Sequence, residues 1–304
     1  MKPRLFITGG SSLLALNWAV AVRDRYTVIL GQHNRVTRLA GVRTRPMNLE
    51  SAASAVSLLE DIQPNAVVHT AGITSVEKCE SDTMLADHIN VDIAENVAKA
   101  CAALGVPMVH ISTDHLFSGD HAFVDERAQV LPVNAYAKSK AKAEVRVLQA
   151  WPEALIVRTN FFGWGPSYRQ SFSDAIINSL RAGQPMHMFQ DVHFTPIIAT
   201  ELAQAAHDLI DTKAAGIFNV VGDDRISKYE FGLMVARQFN LDLRLIVPDL
   251  LANRTSLALR PLEMSLSNQK IHRHLGRSMG SVADHLRLLH AQETSGIANE
   301  IGSL

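Results

Sequence analysis

Short apolar runs and helical-period stretches alternate along the first half of the chain. Residues 4–8 read Arg-Leu-Phe-Ile-Thr, and a Gly/Ser turn leads from them into an amphipathic stretch over 13–25. That order predicts strand, turn and helix. A second strand is expected at 27–30, then a helix capped by Ser51 and ending before Pro64. Residues 66–69 read as another short strand. Val91, Ala94, Val97, Ala98, Cys101 and Leu104 recur at helical spacing, with Gly105 and Pro107 closing the helix. Two further strands are expected at 108–112 and 155–158. Short strands, apolar on both faces and joined by helices, imply a parallel sheet covered on both sides. Right-handed crossovers then give an α/β, doubly wound, Rossmann-like domain over residues 1–160.

Beyond residue 160 the rhythm loosens. Helices are expected at 173–182 and at 200–211, the latter capped by Thr200, and a strand at 216–221. Ser227 and Glu230 form a capping box that opens a helix over 228–239. Residues 161–304 therefore read mostly as a smaller substrate lobe, with segments around 190–222 returning to the main sheet. The polar tail from Gln292 is expected to be loosely ordered.

Composition narrows the choice. The 304 residues hold 29 Lys+Arg against 30 Asp+Glu, a net charge of −1, which excludes a global electrostatic footprint for nucleic acid or an anionic membrane. With 47% hydrophobic residues the chain has material for a large core. The short basic clusters, Arg23 with Arg25 and then Arg35, Arg38, Arg43 and Arg45, suit one phosphate group rather than a duplex. Cys79 and Cys101 match no metal or redox spacing and are expected as buried hydrophobes in a reducing compartment. The 13 histidines show no ligand spacing, so no metal site is expected; His69 and His110 fall in buried strands. The first apolar run is too short for a signal peptide, and none approaches the ~18 residues of a membrane span. A soluble, cytoplasmic protein without nucleic-acid or membrane partners is the expectation.

Two constellations carry chemistry. In Thr8-Gly9-Gly10-Ser11-Ser12-Leu13-Leu14-Ala15, a strand–helix turn aims backbone N–H groups and the positive end of a helix at a pyrophosphate. Gly9 holds the first glycine place of such loops. Ala15 is a tolerated substitute at the third, but Ser12 at the second puts a side chain where the phosphate would lie. The second constellation is Tyr136-Ala137-Lys138-Ser139-Lys140. Tyr136 and Lys140 share one helix face, and an ammonium beside a phenol lowers the phenol's pKa, making it an acid or base near neutrality. Thr113, at the end of the strand before, places a hydroxyl toward the same substrate oxygen.

With these residues in order, the chain resembles an extended short-chain dehydrogenase/reductase, and within that group it is most similar to the dTDP-4-dehydrorhamnose reductases and their sugar-nucleotide-modifying relatives. The likeness runs from about residue 4 to 275. It includes His69-Thr70-Ala71-Gly72-Ile73-Thr74, Val76-Glu77-Lys78-Cys79-Glu80, Ser112-Thr113-Asp114, Arg158-Thr159-Asn160-Phe161-Phe162-Gly163-Trp164, Phe194-Thr195-Pro196 and Arg260-Pro261. The resemblance implies an NADP-dependent reduction, NADPH preferred over NADH, of a keto group on a nucleotide-sugar substrate. Tyr136 would be the proton donor, Lys140 its electrostatic partner and the holder of the nicotinamide ribose, and Thr113 the residue that orients the carbonyl. Gly9, Ser12, Leu13, Leu14, Ala71 and Gly72 would line the cofactor. Asn48 and Leu49 stand where the family carries Asp-Leu beside the adenine. No acid follows the second strand to take the ribose hydroxyls, and Arg35, with Arg38 in reserve, suits a 2′-phosphate.

Thr74, Val76, Asn160, Phe161, Trp164 and Arg260 are the substrate-side candidates. Phe161, Phe162 and Trp164 either wall the substrate or pack the lobe boundary. Asn90 matches a position that supports a water relay in the wider superfamily or else bonds locally, and His115 is expected to line the pocket. A homodimer stays open. So do two other functions on this fold: a nucleotide-sugar epimerase or dehydratase, the latter disfavoured because only Asp114 follows Thr113, and a non-catalytic regulatory subunit of the methionine adenosyltransferase β-subunit type.

Overall fold

The computed structural model describes residues 2–304. Its first half runs β1 (Arg4–Thr8), α1 (Leu13–Val22), β2 (Thr27–Gln32), β3 (Arg43–Pro46), α2 (Ala52–Ile62), β4 (Ala66–His69), α3 (Val76–Ser81), α4 (Thr83–Asp87), α5 (Ile93–Leu104), β5 (Met108–Ile111), α6 (Ala135–Ala150) and β6 (Leu155–Arg158). The second half adds β7 (Phe161–Phe162), α7 (Phe172–Arg181), β8 (Met186–Phe189), β9 (His193–Phe194), β10 (Ile197–Ile198), α8 (Ala199–Asp211), β11 (Gly216–Asn219), β12 (Ile226–Ser227), α9 (Lys228–Gln238), β13 (Ile246–Asp249), α10 (Gln269–Leu275), α11 (Val282–Thr294) and α12 (Ile297–Gly302).

Seven strands form one parallel sheet in the order β11-β6-β5-β4-β1-β2-β3. Successive side chains leave a strand on opposite faces, so Leu5 and Ile7 of β1 enter one core and Phe6 the other. Helices α1 and α8 cover the first face, and α2, α5 and α6 the second. Connections turn in opposite directions on the two sides of the β1–β4 pair, and the gap this leaves at the strands' carboxyl ends is where a doubly wound fold binds its ligand. From the second half, β11 returns to extend the sheet beside β6. Three two-stranded pairs, β7–β10, β8–β13 and β9–β12, lie outside it.

One element was not expected, and three local expectations differ. The exposed β3 carries an Arg-Thr-Arg-Pro sequence with no apolar signal, and only pairing to β2 makes it a strand. Helix α1 is buried nearly all round rather than amphipathic, because α8 closes over its outer side. Helix α8 starts at Ala199 after Ile198, with no side-chain cap, so Thr200 is not its cap. The tail is ordered: Ile301 is fully buried, and the Glu300 carboxylate accepts two bonds from Arg23 at 2.6 and 2.8 Å.

Candidate active site

The loop after β1 is built around Gly9. Its φ is +64°, and a Cβ there would stand 2.8 Å from the Ala71 Cα, so any side chain would push β1 and β4 apart. Ser12 is the N-cap of α1: its hydroxyl accepts from the Ala15 N–H at 3.2 Å and lies 3.1 Å from Thr70 Oγ1. The Thr70 hydroxyl donates to the Thr8 carbonyl at 2.7 Å, so Ser12 supplies the proton for the Ser12–Thr70 bond. The serine is thus tied back into the loop, and the first-turn N–H groups of Leu13 and Leu14 remain for a ligand.

Two cavities meet at this loop. One, of about 660 Å³, is lined by Gly9, Ser12, Arg35, Asn48, Leu49, Ala71 and Gly72, together with His33, Tyr168 and Arg169. The other, of about 320 Å³, holds Leu13, Leu14, Thr74, Val76, Thr113, Tyr136, Lys140, Asn160 and Phe161. Ser12, Thr70, Ala71, Gly72 and Arg169 line both. A glycine cradle, free helix N–H groups, two arginines and a lysine along one continuous channel are the donor set a phosphorylated dinucleotide needs.

Tyr136 and Lys140 reach the second cavity because Asn134 caps α6, accepting from the Ala137 N–H at 2.8 Å and donating to the Leu259 carbonyl at 2.9 Å. Burial pushes the Tyr136 phenol up to about 12, with the Thr113 hydroxyl pulling the other way. The expected lowering of the phenol by Lys140 is absent. The ammonium is turned to the Ile111 carbonyl, at 2.6 Å, and to His110 Nε2, at 3.2 Å. Burial brings Lys140 down to about 8, against the opposing pull of Glu144. His110 stacks on His69 at 5.5 Å between adjacent strands, and burial keeps both rings neutral, His69 down to about 3. The Thr113 hydroxyl faces the Tyr136 phenol and otherwise has only long contacts, 3.3 Å to Asp114 Oδ1 and 3.3 Å from the His115 N–H, so it and the phenol can share one substrate oxygen. Asn160 donates to Asp114 at 2.6 Å, and His115 meets the Tyr136 ring edge-on.

Arg260 lies in a third cavity of about 460 Å³, which adjoins the second through His115 and Phe172. It donates to Glu77 at 2.5 Å while its Nη1 has no partner. Lys228 lines the same cavity, 3.3 Å above the Phe194 ring centre, and burial lowers its ammonium to about 8. Trp164 is not in the cleft. Its indole donates to the Leu289 carbonyl at 3.1 Å and its ring packs on Phe239 in the core, which resolves the aromatic group into Phe161 at the cavity and Phe162 and Trp164 in packing. Tyr168, Arg169, His33 and Lys228 were not legible as site residues: they lie in no motif, and only the fold brings them to the channel.

Asn90 sits in the π turn His88–Asp92 that joins α4 to α5. Its side chain accepts from the Ile73 N–H at 2.7 Å and donates to the Ile73 carbonyl at 3.1 Å and Ser139 at 2.9 Å. These bonds pin the loop after β4 to α6, and they favour local bonding over a water relay. Asn90→Ala is expected to cost about 1–3 kcal/mol of stability, because buried backbone groups lose their partners. Urea denaturation measures this, and an unchanged midpoint would show that the loop does not depend on Asn90.

A parallel seven-stranded sheet with a Gly loop after β1 and a Tyr-x-x-x-Lys helix after β5 defines a Rossmann-fold protein of the extended short-chain dehydrogenase/reductase architecture. Residues 3–294 match the family described as RmlD substrate binding domain, and the chain belongs to that family. It is 26% identical over 290 residues to the probable low-salt glycan biosynthesis reductase Agl14 of Haloferax volcanii, covering 94% of this chain and 97% of the relative. It is 28% identical over 242 residues to a dTDP-4-dehydrorhamnose reductase of Sinorhizobium fredii, covering 76% and 77%. The crystal structure of dTDP-4-dehydrorhamnose reductase from Bacillus anthracis, in complex with NADP, superposes with a TM-score of 0.85 at 23% identity over 96% of this chain and all of that one.

Proposed function

We propose that this chain is an NADPH-dependent reductase of a keto group on a nucleotide-linked deoxysugar, of the dTDP-4-dehydrorhamnose type. The observation that carries the reading is the convergence of Thr113, Tyr136 and Lys140 on one cavity wall, open to the channel that holds Gly9 and Arg35. When bound, the dinucleotide supplies a hydride to the carbonyl carbon. Tyr136, neutral at pH 7, gives its phenolic proton to the carbonyl oxygen, and the product is a secondary alcohol. Thr113, whose hydroxyl bonds the phenol, steadies the charge left on it and fixes the carbonyl in line, while Lys140 holds the cofactor ribose. Arg35 takes the 2′-phosphate, and Thr74, Val76, Asn160, Phe161 and Arg260 face the substrate.

The compartment proposed is the cytoplasm, in keeping with two free, buried cysteines, and the partners exclude nucleic acid, in keeping with the charge balance. No helix among the described residues is long and apolar enough to cross a membrane. A homodimer belongs to the same reading and is checked by light scattering.

The test is loss of NADPH absorbance with dTDP-4-dehydrorhamnose and its epimers. Turnover is expected. Tight NADPH binding with no keto-sugar reduced would replace the enzyme by a regulatory subunit.

Lys140 adds a pH dependence. Its ammonium is charged below about pH 8 and neutral above. NADPH affinity should therefore fall as pH rises through that value, and Lys140→Ala should bind weakly, turn over slowly and lose this inflection. Fluorescence titration from neutral to alkaline pH reads the affinity and the inflection, and steady-state NADPH oxidation reads the turnover. An inflection retained in Lys140→Ala would assign it to another group.

A further inference from the structure

The segment between β7 and α7 leaves the smaller lobe and crosses the channel where the two cavities join. It is a folded strap rather than a loose loop. The Asp174 carboxylate accepts from the Gly165 and Ser171 N–H groups at 2.6 and 2.9 Å, and the Arg169 N–H donates to the Pro166 carbonyl at 2.9 Å. A Cβ at Gly165 would lie 2.3 Å from the Arg169 carbonyl, so the turn closes only over glycine.

At the tip, the Tyr168 hydroxyl donates to the Ser11 carbonyl at 2.7 Å, which docks the strap on the loop after β1. The Arg35 guanidinium carbon lies over the Tyr168 ring, 3.8 Å from its centre. A guanidinium stacked by its face keeps its N–H edges free for bidentate contact with a phosphate. Arg169 donates to Thr74 Oγ1 at 2.6 Å, a neutral partner. Among the described residues neither arginine has a carboxylate within ion-pair distance. Arg169 is also the one cation lining both cavities, beside Ser12, Thr70, Ala71 and Gly72, where a dinucleotide must pass from the Arg35 end to the Tyr136 end. The Ala15 N–H of α1 is spent on the Ser12 hydroxyl, so the helix end offers one donor fewer to a phosphate there.

We propose that residues 165–170 form a cofactor clamp contributed by the smaller lobe, in which Arg169 pairs with the pyrophosphate and Tyr168 is the platform that aims Arg35 at the 2′-phosphate. The proposal rests on the NADPH reading above. The two residues have separable signatures, since the pyrophosphate is common to NADPH and NADH and the 2′-phosphate is not.

Dissociation constants for both cofactors are measured by fluorescence titration, with thermal melting of each cofactor-free protein to verify folding. Arg169→Gln should weaken NADPH and NADH by the same factor, about tenfold or more, the size of one lost charge-assisted hydrogen bond, and Arg169→Lys should recover part of it. Tyr168→Leu should weaken NADPH several-fold and leave NADH within about twofold. It should add little once Arg35→Ala is present, because both act through one contact. Tyr168→Phe, which keeps the ring, should keep the preference for NADPH. Wild-type binding that survives Arg169→Gln unchanged for both cofactors overturns the pyrophosphate assignment. Additive losses from Tyr168→Leu and Arg35→Ala overturn the platform. A wild-type protein that binds neither cofactor overturns the clamp and the reductase reading together, whereas the first two results remove only the clamp.

Discussion

Tyr136→Phe should lower kcat by roughly 10²–10⁴-fold and leave the NADPH dissociation constant nearly unchanged, the usual contribution of one positioned proton donor. The substitution removes a single oxygen from a ring that is 8% exposed and already packed, so the fold should not respond. The phenol, pushed up to about 12 by burial, keeps its proton through the neutral range. It can therefore donate, and rate should not fall on the acidic side for want of an ionised tyrosine. Lys140 and Thr113 would remain in place but hold no transferable proton at the carbonyl oxygen. Steady-state NADPH oxidation with the dTDP-keto-sugar measures the drop. Turnover equal to wild type would remove Tyr136 from the mechanism.

Glu144→Ala should cost about 3–5 kcal/mol, the largest loss of stability expected from a single substitution near the site. Arg158 of β6 and Glu144 of α6 pair at 2.7 Å with side chains only 3% and 5% exposed. Glu144 Oε1 also accepts from Ser112 at 2.5 Å, so one carboxylate joins the segment just after β5 to β6 and α6, at the residue before Thr113. Removing it strands a buried guanidinium, whose Nη1 already lacks a partner. Replacing the pair together, as Glu144→Leu with Arg158→Met, should recover most of the loss, since buried ion pairs are often matched by packed apolar groups. Chemical denaturation of the single and double variants decides it. A single variant as stable as the double would mean that Arg158 finds solvent or another acceptor.

Much of this was legible in the chain itself. The apolar runs at 4–8, 66–69 and 108–112 are central strands because a buried parallel strand needs apolar residues on both faces, a demand that is written locally. Gly9, Ser51, Gly105 and the Ser227–Glu230 pair mark turns and caps because their chemistry acts within a few residues. The i, i+4 spacing of Tyr136 and Lys140 ensures that both lie on one face of α6 wherever that helix packs.

Other features depend on what lies across space, and the chain carries no local sign of them. The direction of the Lys140 ammonium was one. Its helix position was readable, but the Ile111 carbonyl and His110, which claim the ammonium, come from the neighbouring strand, and burial then outweighs any help the lysine gives the phenol. Trp164 sits in the core because Leu289 and Phe239 from the far end of the chain meet it there. The tail is ordered because Arg23 offers Glu300 a partner 277 residues away in sequence. Tyr168 and Arg169 reach the channel only because the strap between β7 and α7 folds back over the loop after β1. Local sequence determined the elements, their caps and the face each residue occupies, since those are set by backbone period and short-range hydrogen bonds. Which charges meet, which side chains are desolvated and which loop covers the ligand were decided by tertiary packing, because electrostatics and burial act between residues that the chain order leaves far apart.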